Sequence, residues 1–209
     1  MQIIPIKTSE KLEISYGTGD SDFGLCFIAW TGQGICFLGF SDNTIRHCEE
    51  AEGRRRGNPD PSSAANLKMH KCLDPYVALR APLDDGVLKN LWNKSTFKEE
   101  PAAARKLVTA IFKEKHRPNL IVTGTDFQIK VWETLLQINS GITMSYESFA
   151  KQVGGTNYTR AAASAIARNN ISYLIPCHRV IHKSGNVNKY RWGSEVKTKL
   201  LNWEAAQLI

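Results

Sequence analysis

Apolar side chains recur along the chain with two different periods. Residues 11–16, 23–31 and 35–40 are short runs rich in Ile, Phe, Leu, Cys and Trp, which predicts strands. Gly32-Gln33-Gly34 joins the last two, a length and composition suited to a hairpin. Residues 53–63 combine Arg54, Arg55 and Arg56 with Gly, Asn, Pro, Asp and Ser and have no apolar period, which predicts a solvated loop. Helices are predicted over 86–92 and 101–115. In the second, Ala104, Leu107, Val108, Ile111 and Phe112 fall at helical spacing behind Pro101.

From there the helical period dominates. Residues 119–125 read as a connector between two units, 1–118 and 119–209. Phe127, Val131, Trp132, Leu135, Leu136 and Ile138 mark one amphipathic helix. Ser145 is placed to cap a second, over 146–153, whose Glu147 suits the positive end of the dipole. Gly154-Gly155-Thr156 breaks it, and a third helix is predicted from Asn157 to Arg168. Helix, tight glycine turn, helix is the pattern of a helix-turn-helix. The third helix is nearly bare: Ala161, Ala162, Ala163, Ala165 and Ala167 carry almost no bulk, and Arg160 and Arg168 stand near its ends. Such a helix either packs closely in a core or approaches a groove. The expected fold class is α/β (α+β), with a small N-terminal unit and a mostly helical C-terminal one.

With 42% hydrophobic and 22% charged residues in 209, the chain can fill a core, and one domain or two modest ones fit its length. No run approaches the ~18–20 apolar residues of a membrane span. Residues 1–7 lack a basic flank followed by a long apolar stretch, so no secretory signal is expected and the expected location is cytoplasmic. Five cysteines, odd in number and scattered, predict free thiols. The net charge is +7; ten of the 27 basic and five of the 20 acidic residues lie from Asn119 onward. That half therefore carries +5 of the total and points to a polyanion partner.

The sharpest chemical signal is Pro176-Cys177-His178-Arg179-Val180. A thiolate is the reactive form of cysteine, and a neighbouring base or cation favours it. His178 can serve as the base and Arg179 as the local positive charge. A zinc site is the competing reading, from Cys177, His178 and His182, or from His47 and Cys48 with His70 and Cys72. Neither set has the usual Cys-x2–4-Cys or His-x3–5-His spacing, so no metal and no cofactor are expected.

Pro176-Cys177-His178-Arg179-Val180 resembles the active-site signature of the O6-alkylguanine-DNA alkyltransferases, also called methylated-DNA–protein-cysteine methyltransferases. The resemblance runs from about Gly124 to Glu204. Tyr190-Arg191-Trp192-Gly193 within it is most similar to the bacterial adaptive-response type. The first 118 residues resemble the family loosely, through the strand hairpin. There the resemblance implies a small three-stranded α/β domain of ribonuclease H-like shape.

The resemblance implies a DNA repair reaction in which Cys177 accepts an alkyl group from guanine O6. His178 acts through a water as base, and Glu204 orients it. Tyr146, Tyr190, the carbonyls of Cys177 and Val180 and the main-chain N–H of Arg191 form the base pocket. The helix carrying Arg160 and Ala161, with Thr156 and Arg168, lies in the minor groove. Arg160 fills the space of the flipped nucleotide, and Asn169 is a hinge between that helix and the cysteine turn. The implied partner is double-stranded DNA containing O6-alkylguanine, bound by a monomer. O4-alkylthymine is left open as a second substrate. Ser172 stands where some members have proline, and Trp192 is expected to narrow the pocket toward methyl. Two other readings compete: a damage-binding module without transfer, and a helix-turn-helix regulator. The regulator reading needs base-reading side chains that Ala161–Ala165 lack.

Overall fold

The computed structural model describes residues 1–41, 85–187 and 190–207. The arginine run at 54–56 and the zinc candidates His47, Cys48, His70 and Cys72 lie outside them.

Three strands form the centre of a sheet. After β1 (Ile3–Pro5), they are β2 (Glu13–Ser21), β3 (Gly24–Thr31) and β4 (Gly34–Ser41), an antiparallel meander with Tyr16 opposite Ala29 and Cys26 opposite Phe40. Cys26, Phe27, Ile28 and Ala29 on β3 and Ile35–Leu38 on β4 are all buried. Both faces of these strands are covered, which explains their nearly continuous apolar runs. Cys26 and Cys36 are core side chains, and burial pushes their thiols upward, Cys36 to about 12.

Helix α1 (Asp85–Leu91), β5 (Thr96–Glu99) and α2 (Pro101–Phe112) follow. α2 lies directly on β2. A Cβ at Gly17 or Gly19 would sit 2.8–2.9 Å from Ala104 or Val108, so bare backbone there is what lets the helix approach.

With β6 (Leu120–Val122), the sheet has six strands among the described residues, in the order β1-β6-β4-β3-β2-β5, and this corrects the three-stranded expectation. β6 falls inside the segment read as a connector. It pairs parallel with β1, Ile3 opposite Leu120, and with β4. All three of its residues are buried, and three residues are too few to show a period in sequence.

The C-terminal part contributes α3 (Asp126–Leu136), β7 (Met144–Ser145), α4 (Tyr146–Val153), α5 (Thr159–Ala167), β8 (Val180–Ile181) and α6 (Ser194–Ala206). Thr125 and Gln128 close a reciprocal capping box on α3. The Ser145 hydroxyl caps α4, accepting from Ser148 N–H. Gly155, at φ +136°, turns the chain, where a side chain would be strained. A short 3-10 turn, Thr156–Tyr158, then leads into α5. The predicted third helix is thus a 3-10 turn followed by a shorter α-helix.

Two links place the C-terminal elements. β7 pairs parallel with β8, which sets Tyr146 beside the cysteine turn. Leu38 on β4 donates to Asn170 O (3.0 Å) and accepts from Ser172 N (2.7 Å), so the sheet is bonded to the segment leading to Cys177. In that segment Tyr173 adopts φ +63°. Its ring packs among Phe23, Phe112 and Trp203.

Candidate active site

Cys177 opens a 3-10 turn, Cys177–Arg179, with Pro176 before it. Its side chain is 6% exposed and lines a narrow pocket of about 40 Å³ with Tyr146, Asn169, Tyr190, Arg191 and Trp192. That is room for about one water-sized group. Asn169 Nδ2 donates to the sulfur at 3.1 Å, and Tyr190 Oη lies 4.0 Å from it. Burial raises the thiol's pKa. The Asn169 amide, the Tyr190 hydroxyl and the positive charge of Lys197 oppose that rise.

Asn169 is 2% exposed and uses its whole amide. Oδ1 accepts from Ile171 N–H at 2.9 Å, and Nδ2 also reaches Ile175 O at 3.0 Å. One side chain at the end of α5 thus fixes both the turn after that helix and the approach to Cys177.

His178 is fully buried. Its Nε2 stands 2.9 Å from Glu204 Oε1. The carboxylate can only accept, so Nε2 carries the proton and Nδ1 is left as the basic nitrogen. Nδ1 has no hydrogen-bond partner among the described residues. Burial lowers the imidazole's pKa and outweighs the pull of Glu204 in the other direction, so the ring is neutral. Burial alone would raise the Glu204 carboxyl. Hydrogen bonds from His178 and Arg179 overcome it and hold the group at about 2.

Arg179 corrects the sequence reading. It was expected beside the sulfur, but its guanidinium faces Glu204 and Ile138 O. The cation near Cys177 is Lys197, 2% exposed, whose Nζ donates to Val180 O at 2.8 Å. Sequence reasoning missed Lys197. Its signal was the spacing of Lys197, Leu200 and Glu204 along α6, positions i, i+3 and i+7 on one helical face.

Tyr146 begins α4, is half-buried, and packs edge-on against His182 with ring centroids 5.5 Å apart. Burial raises its pKa. Tyr190 Oη is 2.7 Å from Ser172 Oγ, so Ser172 holds a pocket wall. Arg191 Nη1 donates to Asn169 O and Asn170 Oδ1. The Cys177 carbonyl accepts from Val180 N–H.

Thr156, Arg160, Ala161 and Arg168 do not join this pocket; they lie on the exposed side of the α5 region. The alanines of α5 divide three ways. Ala162 and Ala165 are core, with Trp132 Nε1 donating to Ala165 O at 3.0 Å. Ala163 and Ala167 line the pocket, and Ala161 faces outward. Close packing and slimness at a surface are therefore both present in one helix. His182 does not join Cys177 and His178 as a ligand set; among the described residues no three His, Cys, Asp or Glu side chains gather closely enough to hold a metal.

Residues 126–206, which contain every side chain of this pocket, match the family model of the DNA-binding domain of 6-O-methylguanine DNA methyltransferase. Over these residues the chain shares the DNA-binding domain of the O6-alkylguanine-DNA alkyltransferase family. Among alkyltransferase relatives, the regulatory protein ada of Salmonella typhimurium is 43% identical over 201 residues, covering 95% of this chain and 48% of its own length. The methylated-DNA–protein-cysteine methyltransferase of Kluyveromyces lactis is 48% identical over 83 residues, 40% of this chain and 44% of that one. The chain spans about half the length of the curated relatives it matches. An alkyltransferase structure, the O6-methylguanine methyltransferase of Mycobacterium tuberculosis, superposes with a TM-score of 0.59 at 27% identity, over 92% of this chain and 93% of that one. The same mycobacterial protein has been solved in complex with DNA. The mixed α/β architecture is thus that of the alkyltransferases.

Proposed function

We propose that this chain repairs DNA by taking an alkyl group from O6-alkylguanine onto Cys177 Sγ, once and irreversibly. The observation that carries this reading is the state of His178: Nε2 is committed to Glu204, Nδ1 has no hydrogen-bond partner among the described residues, and the preceding residue is a thiol lining a pocket. A nucleophile, a base and a group orienting the base form the arrangement that activates weak nucleophiles.

In the proposed reaction His178 Nδ1 takes the thiol proton through a bridging water. The Asn169 amide and the Lys197 ammonium stabilise the thiolate that remains. The sulfur attacks the alkyl carbon in line with the bond to O6. An S–C bond forms, the C–O bond breaks, and its electron pair stays with the guanine. The leaving base takes a proton from the Tyr146 hydroxyl, with Tyr190 as a pocket wall, while the main-chain N–H of Arg191 meets O6. The product thioether is a poor leaving group, so the protein is consumed.

The pocket, with Tyr190, Arg191 and Trp192 as its lip, is smaller than a base, and guanine O6 is stacked inside the duplex. The damaged nucleotide must therefore swing out, at a cost of about a few kcal/mol, less for a poorly paired base. We assign this to α4 and α5 acting as a helix-turn-helix in the minor groove of double-stranded DNA. Thr156, Ala161 and Arg168 face the backbone, and Arg160 fills the vacated stack. Residues 119–209 carry the chemistry. Residues 1–118 form a ribonuclease H-like platform that lends β4 to the site, and the unit acts as a monomer. A duplex oligonucleotide containing O6-methylguanine tests the stoichiometry. Guanine should appear up to one equivalent per protein chain and then stop; continued turnover would contradict the reading.

A further inference from the structure

Trp192 is 4% exposed, lines the pocket beside Tyr190 and Cys177, and yet belongs equally to the N-terminal sheet. Its ring stands edge-to-face with Phe37, centroids 5.8 Å apart at 89°. The far edge of the indole, Cη2 and Cζ3, rests over Gly39, where a Cβ would lie 2.4 Å from both atoms. The indole Nε1 has no hydrogen-bond partner among the described residues, so the ring is held by packing and by the Arg191 guanidinium, 5.1 Å from its centroid. Gly39 is an ordinary position in the middle of β4, opposite Phe27, without a positive φ. The backbone does not require glycine there; the ring does.

The rest of the lip is referenced to the same strand. Leu38 exchanges hydrogen bonds with the Asn170–Ser172 stretch. Ser172 holds the Tyr190 hydroxyl, and Asn170 holds the Arg191 guanidinium. Tyr190, Arg191 and Trp192 are therefore all positioned from β4, far away in sequence.

We propose that Gly39 is a specificity-determining residue: by leaving room for the indole of Trp192 it sets how far the lip is withdrawn, and so the largest group that reaches Cys177. This rests on the alkyl-transfer reading for the identity of the substrates, but the steric claim stands on the thiol alone. A side chain at 39 drives the ring off the sheet and into the pocket.

The test uses two thiol reagents of different size, iodoacetamide and N-benzyl iodoacetamide, with labelling at Cys177 read by peptide mapping. O6-methylguanine and O6-benzylguanine oligonucleotides run in parallel. In Gly39→Ala the small reagent should react within about twofold of the wild-type rate while the benzyl reagent slows about tenfold, the scale on which an apolar pocket discriminates small differences of size. In Gly39→Ala/Trp192→Phe the smaller ring clears the new methyl and the wild-type ratio returns. Phe37→Leu removes the indole's edge-to-face partner without adding bulk, and should shift the ratio toward the benzyl reagent; it serves if Gly39→Ala does not fold. Equal slowing of both reagents in Gly39→Ala, a shift that survives Trp192→Phe, or an unchanged ratio in Phe37→Leu would overturn the proposal. If the size effect appears with the iodoacetamides but neither guanine adduct is accepted by the wild type, the seat is upheld and the alkyl-transfer reading fails.

Discussion

Arg179 grips Glu204 at two points, Nε to Oε2 at 2.9 Å and Nη2 to Oε1 at 2.7 Å. The carboxylate that orients His178 is thereby neutralised by the guanidinium, and the imidazole is spared from becoming the counter-ion. Arg179→Met should leave buried Glu204 to draw a proton onto His178, since the guanidinium is one of the charges lowering the histidine's pKa. The ring's titration, followed by NMR, should move upward. Stability should fall by about 3 kcal/mol in urea unfolding, the scale for breaking a buried pair. An unmoved titration would show that Arg179 holds the fold without tuning the base.

The same pair predicts an acid-sensitive fold. The Glu204 carboxyl sits at about 2 in the folded protein against an ordinary 4.5. Its stabilisation is full above pH 4.5 and is lost as pH falls toward 2. About 3 kcal/mol is involved, from 1.36 kcal/mol per unit. His178 acts in the same direction, because burial keeps it neutral while the unfolded chain takes up a proton below its ordinary 6.5. Urea midpoints should therefore decline from near neutrality downward, with Glu204→Gln flattening the acid limb. A midpoint that rises on acidification would be inconsistent with both assignments.

Lys197 opposes the effect of burial on the Cys177 thiol. Lys197→Met should raise the thiol's pKa, which moves the pH profile of iodoacetamide labelling to higher pH. A shift of one unit would slow labelling about tenfold at a fixed pH below the midpoint. A purely structural lysine would change stability without moving that profile.

Much of this was legible in the sequence. β3 and β4 were visible because each spans eight residues with a nearly continuous apolar run; β2 was visible only over Glu13–Tyr16, because Gly17-Thr18-Gly19-Asp20-Ser21 carries no apolar signal. β1, β5 and β6 were not, since three or four residues cannot establish a period. Cys177 and His178 announced themselves by adjacency, whereas Glu204 was reached through the family resemblance. Adjacency in sequence offers Arg179 as a charge for the sulfur but does not fix where its side chain points. The 3-10 turn instead sends its guanidinium to α6 and leaves the sulfur to Lys197. No local pattern pairs Gly39 with Trp192; that contact exists only once the sheet meets the cysteine segment.

Arg160 lies on the exposed side of α5, outside the pocket. Arg160→Ala should slow transfer from duplex DNA about tenfold or more, the cost of leaving an extruded nucleotide's space unfilled being on the order of a few kcal/mol. Transfer from free O6-benzylguanine base should be unchanged. Parallel losses with both substrates would remove the finger role.

The central claim concerns one sulfur atom, and intact mass spectrometry reads it directly. After incubation with O6-methylguanine duplex DNA, the wild-type chain should gain the mass of one methyl group, mapped to the Cys177 peptide, and Cys177→Ala should gain none while still binding the duplex. Wild-type protein that binds the lesion and keeps its original mass, or a methyl group found on another residue, would contradict the account.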